Sequence, residues 1–161
     1  MRPVASLGRE MCGRSGAVVS RISIAELSPG IMLAETGPNV SHAAVADFFA
    51  ELRELALRDR FTLIIDSSPL GMGRVRLVGV GSAALAGMSR LPRPTTGAGI
   101  VGTAMVITSF DVRAMTGVIL AAVRPPWPTR VVKTHVEAVA LSRVWLTGED
   151  AALGNPNVIA M

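Results

Sequence analysis

The 161-residue chain is predicted to fold as one α/β domain: a small mixed, mostly parallel sheet that opens with a β-hairpin and carries about four helices. Three observations predict it. Strand-like runs alternate with amphipathic helical ones, the order that builds right-handed crossovers and a parallel sheet. Two apolar runs, Phe61–Ile65 and Ile100–Ile107, suit strands buried on both faces. Half of the residues are hydrophobic, and a chain of this length buries about two-thirds of its unfolded surface as a single domain.

Residues 1–20 are rich in Gly, Ser and Arg without any period and read as a flexible tail, with one short apolar stretch at Ala17–Val19. The domain spans 21–147. Arg21–Leu27 alternates Ile22, Ile24 and Leu27 imperfectly with polar partners, Ser28-Pro29-Gly30 supplies a turn, and Ile31–Glu35 returns as the second strand. Ser41 is placed to cap a helix over His42–Arg58, whose Val45, Phe48, Phe49, Leu52, Leu55 and Ala56 recur at the spacing of one buried face. Asp47, Glu51, Arg53, Glu54 and Arg58 fall on its other side, with Glu54 and Arg58 at i, i+4. The strand Phe61–Ile65 follows.

Met72–Arg90 carries Val75, Val78, Leu85 and Met88 at helical spacing, weakened by Gly79 and Gly81. Pro92 and Pro94 make Leu91–Thr96 a loop before the strand Ile100–Ile107. Thr108-Ser109 can cap a helix over Asp111–Val123 that puts Val112, Met115, Ile119 and Val123 on one face. Arg124-Pro125-Pro126-Trp127-Pro128 reads as an extended connection, Arg130–Thr134 as a short strand and Val136–Leu146 as the last helix. A flexible tail over 148–161 closes the chain.

Composition narrows the function. Only 4% of the residues are aromatic and none is Tyr, so stacking platforms for single-stranded nucleic acid are scarce. A net charge of +4 and a pI near 10.9 look basic, but no run of four cations clusters on one element, and a solvated surface is expected over a nucleic-acid site. Cys12 is the only cysteine, which excludes an intramolecular disulfide and suits a reducing, cytoplasmic setting. The longest uncharged run, Pro94–Phe110, is too short and too broken by Pro and Gly to cross a bilayer, and the charged start is unlike a secretory signal.

The tempting motifs lack their structural context. Gly97-Ala-Gly99-Ile-Val-Gly102 matches the dinucleotide fingerprint but follows a proline loop and precedes a strand; Gly79–Ala84 matches a looser form with no acid at the ribose position. No cofactor is expected. His42, His135 and Cys12 stand apart, so no metal site is expected. Ser67 or Ser68 with His135 and Asp111 would make a hydrolase triad, but the elbow that exposes such a serine is missing. No catalytic residue is assigned. Arg124 and Trp127 are candidate partner anchors, weighed against Trp127 folding back over the helix end.

The opening hairpin, the "FTLIIDSS" and "MVITSFDVRAMTGVILAAV" stretches and the closing "PTRVVKTHVEAVALSRVWL" together resemble STAS-type domains, the fold of bacterial anti-sigma-factor antagonists. The resemblance covers about Arg21 to Leu146 and implies a regulatory domain that binds protein partners or lipids. It also implies a phosphorylatable serine after an aspartate, to which Ser67 and Ser68 correspond. The family's site lies several residues later, where Leu70-Gly71-Met72-Gly73 offers no hydroxyl, so a turn or cap is the simpler role for both serines. The leading expectation is a non-catalytic regulatory or protein-interaction domain that binds a protein partner or itself. The alternatives are a carrier of a small apolar ligand or lipid at helix 111–123, and a serine hydrolase at Ser67 or Ser68.

Overall fold

The computed structural model describes residues 22–37, 40–68, 83–84 and 86–148, apart from the side chains of Met115, Ala122 and Val123. The proposed tails and residues 72–82 and 85 of the expected Met72–Arg90 helix lie outside these residues; Gly148 is described and caps the last helix in the left-handed region (φ 77°).

The elements follow in the expected order. They are β1 (Ile22–Ser28), β2 (Ile31–Thr36), α1 (His42–Arg58), β3 (Arg60–Asp66), helical residues 83–84 and 86–88 (α2), β4 (Gly99–Val106), α3 (Phe110–Val123), β5 (Thr129–Val132) and α4 (His135–Thr147). The five strands lie in the order β1-β2-β3-β4-β5, with β1 antiparallel to β2 and every later pair parallel.

Each departure from the expected elements has a local cause. The imperfect alternation of β1 is a bulge between Glu26 and Ser28, which leaves Leu27 out of register and 49% exposed. Gly99 opens β4 at φ 107°, and a Cβ there would stand 2.7 Å from the Pro94 Cα, so a glycine belongs at this step. β5 stops at Val132 because Thr134 is taken by the cap of α4. Its hydroxyl accepts from Glu137 N, and the Glu137 carboxylate accepts from the backbone of Lys133 and Thr134, a complete capping box. Ser41 caps α1 as expected, accepting from Ala44 N at 3.1 Å. Glu54 and Arg58 form no ion pair; among the described residues the ion pair is that of Asp66 with His135.

Side-chain alternation sends the strands' residues to two cores. Val45, Phe48, Leu52 and Ala56 of α1 pack with Ala83 on Ala34, Phe61, Leu63 and Ile100. Ala138 and Trp145 of α4 pack on Ile31, Ile64, Ala104 and Val106 from the opposite face. β3 therefore contributes to both cores from alternate positions, as a central strand must. Gly102 marks the closest helix–sheet approach: a Cβ there would overlap the Trp145 indole. None of the helices is long and apolar enough to cross a membrane among the described residues.

Candidate functional site

Parallel strands deliver their carboxyl ends to one edge, where open α/β sheets place ligands. Here β2 ends at Thr36, β3 at Asp66, β4 at Val106 and β5 at Val132. The ends are tied together. Thr36 Oγ1 donates to the Asp66 carbonyl at 2.9 Å, Ser67 N to Val106 O at 3.1 Å, and Ile107 N to Val132 O at 3.0 Å.

Asp66 uses both carboxylate oxygens. Oδ1 accepts from Ser68 N at 2.8 Å, a short Asx turn that bends the chain out of β3. Oδ2 meets His135 Nε2 at 3.1 Å, with Asp66 14% and His135 49% exposed. His135 reaches this place because it is the first residue of α4 and the Thr134 cap fixes the start of that helix. The carboxylate orients the imidazole and leaves Nδ1 for another partner, an arrangement able to hold or relay a proton.

The triad weighed and set aside from the sequence assembles only in part. The partner of His135 is Asp66, not Asp111, which sits in the first turn of α3. No hydrogen bond joins Ser67 or Ser68 to His135 among the described residues; the two serines serve the turn through their backbone N–H groups. Asp66 escaped the sequence reading because it is separated from His135 by 69 positions, and no local spacing brings such residues together. Its place at the end of a central strand was the available signal. No group of three metal-ligating side chains occurs among the described residues.

The second feature is α3. None of its described side chains is buried: of the face Val112, Met115, Ile119 and Val123, Val112 is half-buried and Ile119 is 40% exposed, and the side chains of Met115 and Val123 lie outside those described. Phe110 is 74% and Val118 71% exposed, and with Ala114 and Ala121 they form one outward stripe at i, i+4, i+8 and i+11. The Arg113 guanidinium lies 5.9 Å from the Phe110 ring centroid. Apolar character is continuous around this helix, so periodicity could not tell the packed side from the free one.

Trp127 is not a surface anchor. It is 5% exposed, belongs to the core under α1, and its Nε1 donates to Thr103 Oγ1 at 2.9 Å. The prolines on either side set the chain's direction while the indole fills the core. Arg124 stays exposed as the left-handed C-cap of α3, at φ 48°.

No family model, no curated protein and no solved structure matches this chain.

Proposed function

We propose that the chain is a non-catalytic regulatory or interaction domain of STAS-like fold that works by docking through the outward face of α3. One observation carries the reading: a 14-residue helix whose exposed stripe is apolar, with Phe110 and Val118 each more than two-thirds open to solvent. A soluble domain exposes single apolar residues freely, but a contiguous apolar stripe on one element marks an interaction surface. The element order and the antiparallel-then-parallel sheet agree with what a STAS-like domain requires. The stripe faces outward, which favours contact with something outside the domain over a ligand enclosed around helix 111–123.

Photo-crosslinking in cells of the native host tests this. A photoreactive amino acid at Val118 should give specific adducts, while one at Leu57, 54% exposed on α1, should not. Equal labelling from both positions would remove α3 as the docking face.

The Asp66–His135 pair supports a second, hydrolytic reading, with Ser67 or Ser68 as nucleophile. Labelling by a fluorophosphonate that is lost in Ser67→Ala or Ser68→Ala and in His135→Ala would establish it. Absence of labelling in the full chain would end it.

A further inference from the structure

Charge is unevenly divided among the described residues. Residues 22–68 carry seven acidic side chains against three basic ones, whereas residues 83–148 carry seven basic ones against Asp111 and Glu137. Because the strands lie side by side in chain order, β1 and β2 stand at the acidic side and β5 with α3 at the basic side, while α1 lies across the sheet from β1 to β4. The apolar stripe of α3 lies in the basic half, with α3 packed on β5.

Cations stand at both ends of that stripe. Arg113 lies beside Phe110 at the start of α3, and Lys133 is exposed at the same edge of the sheet, where β5 ends. Arg124 caps the far end, at the edge where the segment carrying Arg90 and Arg93 leads into β4. From Ala114 to Val123 the helix has no charge, and its one hydroxyl, Thr116 Oγ1, is bound to Val112 O at 2.8 Å. Among the described residues the exposed surface is therefore apolar in the middle, with Arg124 at one end and Lys133, the half-buried Arg113 and the exposed Asp111 at the other.

We infer that α3 docks the domain on an anionic lipid surface, which deepens the proposed function by naming what the α3 face meets and rests on that reading. The stripe by itself is too small for a stable protein interface. The helix is about 21 Å long and about 10 Å wide, a footprint of roughly 200 Å2. Even doubled for side-chain relief, it falls well short of the roughly 800 Å2 a side of a stable protein interface. A bilayer surface needs no matching shape and adds attraction from every cation of the basic half, so a small apolar stripe suffices. A second copy would meet α3 with its own α3 about a two-fold axis, which brings the Arg113 end of one helix against the Arg124 end of the other, and like charges oppose that contact where anionic headgroups relieve it.

Vesicle flotation of the full chain tests the inference, with phosphatidylcholine vesicles compared with vesicles of phosphatidylcholine and phosphatidylserine. Binding is expected only to the anionic vesicles and should fall as salt is raised. Val118→Asp should weaken it about tenfold or more, and Arg124→Ala about fivefold, while Leu57→Asp on α1 leaves it unchanged. Circular dichroism checks that each variant folds, which the exposure of all three positions favours. No binding, equal binding to neutral vesicles, or full binding by Val118→Asp overturns the lipid assignment. So does an α3-dependent dimer in ultracentrifugation without vesicle binding, which would name a second copy instead. The crosslinking at Val118 is independent of these outcomes: protein adducts there without vesicle binding would sink the lipid assignment and leave the docking reading standing.

Discussion

Ser142 should be better replaced by alanine. It lies in α4 with no solvent exposure, between Ala138 at 0% and Trp145 at 4%, and its hydroxyl has no hydrogen-bond partner among the described residues. A buried hydroxyl without a partner forfeits its hydration and costs about 1–3 kcal/mol. Alanine removes that penalty and keeps the Cβ, and its higher helix propensity adds about 0.5 kcal/mol. Against this stands the small void left by one oxygen, where the neighbours lose dispersion contacts worth about 0.1–0.2 kcal/mol each. The balance is a stabilisation of about 1–2 kcal/mol, which for a chain of this size raises Tm by roughly 2–8 °C. Urea unfolding followed by circular dichroism measures it directly: the midpoint should rise with the slope unchanged. A lower midpoint for Ser142→Ala would refute the reasoning, because it would mean the hydroxyl is satisfied in solution, by a neighbouring carbonyl or a buried water.

Three other substitutions probe the features that build the fold and the site. Gly102→Ala should destabilise by about 1–3 kcal/mol in the same urea assay, since the new Cβ meets the Trp145 indole inside the core under α4. Thr134→Ala removes the hydroxyl of the capping box and should cost about 1 kcal/mol; Thr134→Ser should recover most of it. His135→Ala should change stability by less than about 1 kcal/mol, because the pair with Asp66 is half open to water on the imidazole side. A larger loss in thermal unfolding would show that His135 holds the end of β3 more tightly than an exposed pair can.

The sequence was most readable where local chemistry and packing agree. Ser41 acts within a few residues, so its cap was visible along the chain; Gly99 and the Thr134–Glu137 capping box act as locally, yet the expected element bounds missed them. The strand Phe61–Ile65 read as central because it lacks polar alternation, and it does supply both cores. The candidate site was less readable. Asp66 and Ser68 form a turn detectable locally, but the approach of His135 depends on β3 and β5 ending at one edge with α4 starting there.

By itself the sequence determined the order of the described elements, the buried face of α1, and the absence of an intramolecular disulfide within the 161 residues that a single Cys12 entails. Those follow from interactions spanning a few residues or from composition. Only the tertiary structure decided that Trp127 is core, that Asp66 partners His135, and that α3 keeps an apolar stripe in water. It also set the two ends of an uneven division of charge along the chain at opposite edges of the sheet, because the strands lie in chain order. An apolar residue carries the same pattern whether its neighbour is a strand or solvent, and the position of the neighbouring elements settles which it meets.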